Sequence, residues 1–385
     1  MNICLLNLDY KPFRTAGLTV YGELLADGLL AAGHQVTVVS AQRAKARSEE
    51  FIDGVRVLRT PIGPTDWLGF GYQAARLLKR MEQCERFDVV HFLDVRFAWH
   101  YRGECFATVF ESFRQRLHAK GNLPYSHNRA NLLWRYAYFT LVDRTLQRWA
   151  LARPRILIAA SESTRAEFIG HYSVAPERLA VVHLGIDTDH YRPRDSGALR
   201  KSLGLENKRV ILYVGFSTPR KGVEYLAQAL ATLEPDSCLL LVGKWEPGYR
   251  TKFLRELPPA LGGRVLTVGY VPDEELPDYY SLADVFAFPS LLEGFGLPPV
   301  EAMACGTPVI AASTSSLPEV IGDAGILVPA MDAKALASAL ARVLGDEELR
   351  RVLAARGIER VRRLYSQEHM VARTLDVYRE LPERV

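Results

Sequence analysis

The chain has 385 residues, of which 48% are hydrophobic and 24% charged, and these ordinary fractions predict a globular protein large enough for two domains with separate cores. The formal charge of +4 is uneven, because residues 1–150 hold 20 lysines and arginines against 14 acidic residues. There is no apolar run long enough to span a membrane, no signal-peptide pattern and no C-x-x-C spacing among five cysteines, so we expect a cytoplasmic protein with buried free thiols.

The first half of the chain alternates between strand-like and helix-like patterns. An apolar run at residues 3–7 is followed by a helical pattern from Val20 to Ala32, which Gly33 closes, and by a strand at residues 35–40. Further apolar runs predict strands at residues 54–59, 87–93, 105–110 and 156–161. This order predicts a parallel sheet covered by helices.

A second alternation of the same kind begins at residue 209. Its predicted helix runs from Val223 to Leu233, and its predicted strands are at residues 209–215, 238–243, 264–271, 285–290, 308–313 and 325–329. The polar stretch at residues 191–208 is the predicted linker. The chain is therefore predicted to be an α/β protein with two Rossmann-like domains in tandem.

Two loops after predicted strands have residues suited to an anion, and ligands of open parallel sheets bind beyond the carboxyl ends of the strands. Gly17, just before the first helix, permits close approach of the backbone, although the G-x-G-x-x-G fingerprint is absent. In VGFSTPRKG, residues 214–222, Arg220 and Lys221 combine a planar donor fork with a mobile point charge, which suits a diphosphate. A plain tight turn and exposed loop residues are the respective alternatives.

Two glutamates stand eight positions apart in SLLEGFGLPPVEAMACGTP, residues 290–308. The adjacent prolines suit the first turn of a helix that Gly306 ends, so Glu293 lies in a loop and Glu301 within the helix. Glycines between them leave backbone N–H groups for a phosphate, and each glutamate can accept hydrogen bonds from hydroxyls. A glycosidase acid–base pair remains possible, and a helix-start carboxylate is the structural alternative for Glu301.

The first half offers weaker candidates. His91 and Glu111 each follow a predicted strand, and single residues of this kind are more often structural. Residues 112–155 hold nine basic residues and one acidic residue, Asp143, interleaved with aromatic residues. Such a segment can meet anionic lipid, a phosphate-bearing acceptor or nucleic acid, or it is a solvated helix with an aromatic inner face.

The 214–222 loop and the long stretch GYVPDEELPDYYSLADVFAFPSLLEGFGLPPVEAMACGTPVIAASTSSLPEVIGDAGILV resemble the retaining nucleotide-sugar glycosyltransferases of the GT-B fold, glycosyltransferase family four. The E-x7-E pattern of the family is Glu293 to Glu301 here. The resemblance covers nearly all of the second half and the first half loosely. It implies two Rossmann-like domains facing each other across a cleft, at residues 1–190 for the acceptor and 191–365 for the donor. A C-terminal helix at 366–385 is expected to cross back onto the first domain.

The resemblance also implies roles for single residues. Arg220 and Lys221 match the basic pair that contacts the donor diphosphate and stabilises the departing nucleotide, and Glu293 matches the glutamate near the hydroxyls of the transferred sugar. Glu301 matches the glutamate that holds the ribose hydroxyls. The remaining donor-binding residues that we expect are Gly17, Gly215, Phe295, Gly296 and Leu297.

One departure from the family concerns the acceptor side. Many members have a histidine where this chain has Phe110 followed by Glu111, so Glu111 either takes a nearby role or the contact with the sugar is absent. His91 matches a histidine of the family that is either functional or structural, and we keep both residues as acceptor-side candidates.

The activity implied is retaining transfer of a sugar from a UDP- or GDP-sugar, without a required metal or other cofactor, to a glycan, lipid-linked or small-molecule acceptor. Such a reaction belongs to the synthesis of cell-envelope polysaccharides. The base is read near Tyr270 and Val271, and we expect peripheral membrane contact through residues 112–155 and no nucleic acid partner. A nucleotide-sugar epimerase on the same fold and a non-catalytic nucleotide-sugar binding protein are the alternatives.

Overall fold

The computed structural model describes residues 1–13, 17–43, 46–62, 66–110, 129–138, 140–141 and 144–380. These residues form two compact units, each with its own sheet. The first unit takes its residues from 1–115, 137–185 and 367–385, and the second takes them from 116–136 and 186–366. After residue 185 the chain passes from the first unit to the second, and it returns to the first unit at residue 367.

The described residues of the first unit form eight strands: β1 Asn2–Leu6, β2 Gln35–Ala41, β3 Glu49–Ile52, β4 Val55–Thr60, β5 Val89–Phe92, β6 Phe106–Val109, β7 Ile156–Ala159 and β8 Leu179–Val181. Their order in the sheet is β3-β4-β2-β1-β5-β6-β7-β8. All neighbours are parallel except β3 and β4, which form an antiparallel hairpin at one edge. The central strands are apolar and buried, as expected for parallel strands with helices on both faces.

The described residues of the second unit form six strands: β9 Arg209–Val214, β10 Ser237–Val242, β11 Val265–Val268, β12 Val285–Phe288, β13 Val309–Ala312 and β14 Gly325–Val328. Their order is β11-β10-β9-β12-β13-β14, and all neighbours are parallel. The carboxyl ends of the six strands therefore meet at one edge of the sheet. The predicted fold class, α/β with two Rossmann-like parallel-sheet domains, is confirmed.

The described helices are, in chain order, α1 Gly17–Ala31, α2 Asp66–Met81, α3 Arg129–Tyr138, α4 Arg144–Leu151, α5 Glu162–Tyr172, α6 Gly197–Ser202, α7 Val223–Leu230, α8 Tyr249–Glu256, α9 Leu276–Leu282, α10 Leu297–Ala304, α11 Leu317–Ile321, α12 Ala333–Gly345, α13 Glu347–Leu364 and α14 Gln367–Arg379. Several begin at residues that favour helix starts. Asp332 and Asp346 accept backbone N–H groups at the starts of α12 and α13, and proline stands in the first turn of α10.

The last helix, α14, packs on α1 of the first unit. Gln367 Nε2 donates to the carbonyl oxygen of Leu24 at 2.8 Å. Gly28 allows the two helices to approach closely, because a Cβ there would lie 2.5 Å from the side chain of Val371. The C-terminal segment is therefore part of the first unit in space although it follows the second in sequence.

All five cysteines are free thiols. Four of them are buried as predicted, whereas the expectation was wrong for Cys84, which is exposed just after α2. Over the ranges that the structure describes, no helix has the length and apolarity needed to cross a membrane.

Candidate functional site

The loops that follow β9 and β12 lie side by side because the two strands are neighbours in the sheet. The backbone N–H of Leu291 donates to the carbonyl oxygen of Arg220 at 2.9 Å and joins the loops. Gly222, with φ of 67°, permits this approach, because a Cβ there would lie 2.5 Å from the carbonyl oxygen of Pro289. The sheet thus brings together two sequence motifs that are about 70 residues apart.

Three of the predicted site residues meet at this point. Lys221 Nζ lies 2.5 Å from Glu293 Oε1, and Arg220 Nη1 lies 4.0 Å from the same oxygen. Arg220 also donates to the carbonyl oxygen of Leu292. The three charged side chains are 11–15% exposed, so the two cations and the carboxylate face each other largely out of water. The cluster has a net positive charge, which suits an anionic ligand.

The Glu293 carboxylate is held ionised by these neighbours. Burial opposes its ionisation, but the charges of Lys221 and Arg220 outweigh burial and hold the pKa of Glu293 below its ordinary value. Ser290 Oγ adds a hydrogen bond to Oε1 at 2.5 Å. An ionised carboxylate of this kind accepts hydrogen bonds and is not a proton donor near neutral pH.

Glu301 has different surroundings. It lies in the second turn of α10, and the Tyr280 hydroxyl donates to its Oε2 at 2.6 Å. Burial raises the pKa of Glu301 to about 7; the hydrogen bond from Tyr280 acts against that rise and the charge of Asp273 adds to it. Within the described part of the chain, no hydrogen bond or ion pair joins Glu301 to Glu293. The two glutamates therefore occupy separate environments.

The start of α10 follows the Glu293 loop directly. Gly296 has φ of 106°, a conformation that favours glycine, and a Cβ there would lie 2.9 Å from the side chain of Leu317. Phe295 is buried against the ring of Tyr365, with ring centroids 5.5 Å apart, while Leu297 is the first residue of the helix. Pro298 and Pro299 have no backbone N–H, so the first turn offers those of Leu297 and Val300. The turn lies at the same edge of the sheet as Arg220, where a helix N-terminus favours an anion.

Gly215 lies at the end of β9, beside the loop that follows β10. Its carbonyl oxygen would lie 2.2 Å from a Cβ at Gly243, so both loops depend on the absence of a side chain there. The Ser217 N–H donates to the Lys244 carbonyl oxygen at 2.8 Å and ties the same loops together. Beyond them, Lys244 Nζ lies 4.7 Å from the ring centre of Tyr270, which is 64% exposed.

The candidates of the first unit are placed less favourably. Gly17 is exposed at the first turn of α1. His91 is fully buried: its Nδ1 lies 2.7 Å from the Tyr378 hydroxyl and its Nε2 lies 2.8 Å from Thr108 Oγ1. Burial lowers the pKa of His91 to about 3, so the ring is neutral. Glu111 lies outside the described residues. The acceptor-side roles of His91 and Glu111 stay predictions.

Sequence reasoning missed the hydroxyl groups that hold this site. Ser290 and Tyr280 bond the two glutamates directly, and Ser315 Oγ accepts the backbone N–H of Glu293 at 2.9 Å. The one available signal was position: Ser290 ends the predicted strand at 285–290, and Ser315 follows the strand at 308–313.

Two family models match the chain in succession. The model described as "Glycosyltransferase Family 4" matches residues 15–190, and the model described as "Glycosyl transferases group 1" matches residues 195–360. The two matched ranges meet at residues 190–195, a few residues after residue 185, where the chain passes from the first unit to the second.

Individual proteins give the same result. The chain is 31% identical to the O-antigen chain mannosyltransferase B of Escherichia coli over 60% of this chain and 62% of that protein. It is 37% identical to the MMP alpha-(1->4)-mannosyltransferase of Mycolicibacterium hassiacum over 60% of this chain and 55% of that protein. The matched part is thus less than two thirds of the length of either relative.

The fold has close counterparts among solved structures. Sucrose-phosphate synthase from Thermosynechococcus elongatus superposes with a TM-score of 0.81 at 25% identity, covering 98% of both chains. The chain has two parallel-sheet units in succession, matches the two family models and resembles this structure over nearly its whole length. It therefore belongs to glycosyltransferase family four and has the GT-B fold.

Proposed function

We propose that this protein is a retaining glycosyltransferase that moves a sugar from a nucleoside diphosphate sugar, a UDP- or GDP-sugar, to a glycan, lipid-linked or small-molecule acceptor. The observation that carries the proposal is the meeting of Arg220 and Lys221 with Glu293 beside the start of α10. Both relatives named above are mannosyltransferases, which supports a hexosyl donor.

The diphosphate binds to Arg220 and Lys221. Glu293 balances one of the two cations, so these three side chains together keep a net positive charge for a diphosphate. Charge develops on the leaving nucleoside diphosphate in the transition state, and cations fixed in a largely buried site stabilise it without reorganising. The backbone N–H groups of Gly296 and Leu297 add donors, while Gly215, whose own N–H donates to the Val242 carbonyl oxygen, lets the donor approach the backbone closely. We propose that no metal is required.

The two glutamates bind two different sugars. The ionised Glu293, next to the cations, accepts hydrogen bonds from the transferred sugar, and Glu301 accepts them from the ribose hydroxyls. A pair of carboxyl groups with separated pKa values would also fit a hydrolytic acid–base pair. The ion pair of Glu293 with Lys221 favours a donor with a diphosphate instead, because a glycosidase has no need of such a clamp.

Transfer then proceeds on one face of the sugar. The bond between the anomeric carbon and the β-phosphate oxygen breaks, and the acceptor oxygen forms its bond to the same carbon from the same face. The acceptor proton passes to the departing phosphate oxygen, so no protein nucleophile takes part. A nucleotide-sugar epimerase would yield a new sugar nucleotide with no acceptor, and a binding protein would release no nucleoside diphosphate at all.

Thermal shift with a panel of nucleotide sugars tests the donor site. We expect one base class to stabilise the wild-type protein, and Arg220→Ala and Glu301→Gln to weaken that stabilisation. Arg351→Ala is the matched control, because Arg351 is 73% exposed and pairs with Glu348 on the surface of α13. Absence of stabilisation by every nucleotide sugar in the wild type would remove the proposal.

We further propose peripheral contact with anionic membranes, at the cytoplasmic face, through the basic and aromatic segment 112–155. In the described part of this segment, the helix α3 exposes Leu133 and Trp134, which are 70% and 65% accessible, and the helix α4 exposes Trp149, which is 58% accessible. Aromatic side chains among arginines suit an anionic bilayer surface. Co-sedimentation with vesicles containing phosphatidylglycerol should fall in Trp134→Ala but not in Phe51→Ala, an exposed aromatic on β3; binding independent of anionic lipid would contradict the proposal.

A further inference from the structure

Three consecutive hydroxyl groups between β13 and α11 hold the loop that contains Glu293. Thr314 Oγ1 donates to the carbonyl oxygen of Ser290 at 2.9 Å, and Ser316 Oγ donates to that of Phe295 at 2.7 Å. Between them, Ser315 Oγ accepts the backbone N–H of Glu293 at 2.9 Å. The loop at residues 314–316 thus holds the Glu293 loop at its start, its middle and its end.

Ser315 has a backbone conformation that serine rarely adopts. Its φ is +47°, in the left-handed region, and in the described ranges the other residues besides glycine with positive φ are Asp53, Ser173 and Met331. Glycine would take this conformation without strain, and residues held in it against preference concentrate at functional sites. A glycine here would, however, have no side-chain oxygen to accept the N–H of Glu293. The serine therefore supplies a contact that the favoured residue lacks.

The carboxylate of Glu293 is oriented as well as ionised. Both of its hydrogen bonds within the described residues, from Lys221 Nζ and Ser290 Oγ, end on Oε1. The second oxygen, Oε2, is left to accept hydrogen bonds from a ligand. Its direction depends on the backbone of Glu293, which Ser315 holds from the opposite side of the loop.

We infer that Ser315 is a positioning residue that acts through Glu293 on the transferred sugar and not on the nucleotide. The inference rests on the proposed function, since it requires that Glu293 contacts the sugar of the donor. Loss of Ser315 Oγ removes the contact to the Glu293 N–H and leaves the Glu293 carbonyl oxygen bonded to Ser316 Oγ at 3.2 Å, so Oε2 meets the sugar hydroxyls in a less fixed direction. Ser315 bonds to Glu293 and not to Arg220 or Lys221 among the hydrogen bonds of the described residues, so the two cations continue to bind the diphosphate.

The test uses isothermal titration to compare the affinity for a sugar nucleotide with the affinity for the nucleoside diphosphate alone. The pairs are UDP-glucose and UDP, GDP-mannose and GDP, and ADP-glucose and ADP. The variants are Ser315→Gly, Ser315→Ala, Glu293→Gln and the double variant Ser315→Gly/Glu293→Gln. Ser173→Gly is the matched control, because Ser173 also has a left-handed backbone, with φ of 55°, and is exposed at the end of α5 in the first unit. The glycine variant relaxes the backbone and the alanine variant does not, while both remove the same oxygen.

For the pair that binds the wild type, we expect both Ser315 variants to lower the ratio of sugar-nucleotide affinity to diphosphate affinity by roughly three- to tenfold, the value of one well-placed hydrogen bond. Diphosphate affinity should stay within about twofold of the wild type, and Ser173→Gly should change neither value. In the Glu293→Gln background, Ser315→Gly should cause no further change, because both act through one contact.

Three results would overturn the inference. One is an equal loss of both affinities in the Ser315 variants, which is what a structural role would give. Another is a ratio that stays at its wild-type value, and the third is a full additional loss in the double variant. Failure of the wild type to bind any of the three pairs is a different result, because it would remove the proposed function itself and the inference with it.

Discussion

Glu293→Gln removes one charge from the donor site and keeps the shape of the side chain. The wild-type carboxylate lies 2.5 Å from Lys221 Nζ and 4.0 Å from Arg220 Nη1. In the complex, the transferred sugar would lose hydrogen bonds to a charged acceptor, worth about 1.5–3 kcal/mol. Turnover should therefore fall roughly 10- to 150-fold.

The same change should leave the affinity for the nucleoside diphosphate unchanged or raise it. In the wild type, the diphosphate shares Lys221 with a carboxylate of like charge to its own. At an effective dielectric constant near 20, two like unit charges about 4 Å apart repel each other by about 4 kcal/mol. Removal of the carboxylate charge therefore opposes any loss of diphosphate affinity that the altered loop causes. Turnover and nucleotide affinity should thus separate.

Without added diphosphate, Glu293→Gln should also have a lower free energy of unfolding than the wild type. Breaking a buried ion pair costs about 3–5 kcal/mol, and because the Lys221 and Glu293 side chains are 13% and 11% exposed, we expect a smaller loss of about 1–3 kcal/mol. A bound diphosphate replaces the missing negative charge next to Lys221. The rise in Tm on adding diphosphate should therefore be larger in Glu293→Gln than in the wild type.

Differential scanning fluorimetry with and without the diphosphate, together with steady-state release of the diphosphate, measures these effects. Glu348→Gln is the control, because Glu348 forms an exposed pair with Arg351 and should change nothing measurable. A variant that lost diphosphate affinity but kept its turnover would refute the assignment of Glu293 to the sugar.

Further predictions concern Glu301, Gly296 and Tyr378. Burial raises the pKa of Glu301 to about 7, above its ordinary 4.5, so between these pH values the folded state binds more protons than the unfolded state. The free energy of unfolding should therefore fall as pH rises from 4.5 to about 7, and the fall should be smaller in Glu301→Gln. If ribose needs the ionised form, donor affinity should rise about tenfold from pH 6 to pH 8 in the wild type and stay constant in that variant, as titration calorimetry would show. Gly296→Ala should lower unfolding free energy by about 1–3 kcal/mol in urea titrations, whereas Gly345→Ala, with open space around it, should not. Tyr378→Phe should cost about 1–3 kcal/mol by leaving buried His91 Nδ1 without its partner, with nucleotide binding unchanged; a neutral result would contradict the role given to that contact.

Much of the fold could be predicted because parallel strands buried on both faces are continuous apolar runs. The six strands of the second unit were all located in this way. The strand β3, Glu49–Ile52, escaped prediction because it lies at an edge, alternates exposed with half-buried residues and begins with two glutamates. The short strand β8, Leu179–Val181, was missed because three residues are too few to show a period.

The site was predictable where its residues follow strands and unpredictable where they come from elsewhere. Arg220 and Glu293 stand in loops after neighbouring strands, so topology alone brings them together. Tyr280 lies on α9, and its contact with Glu301 depends on how α9 packs against α10. For His91, the deciding partner is Tyr378, 287 residues later in the chain, and no local pattern reveals such a contact.

The most direct test of the donor site is isothermal titration of the wild type and of Arg220→Ala/Lys221→Ala with UDP- and GDP-sugars. The proposed function predicts that the wild type binds one of them and that the double variant binds it at least about a hundredfold more weakly, since each charged contact is worth about 1.5–3 kcal/mol. A double variant that bound the same sugar nucleotide as tightly as the wild type would contradict the assignment of Arg220 and Lys221 to the diphosphate.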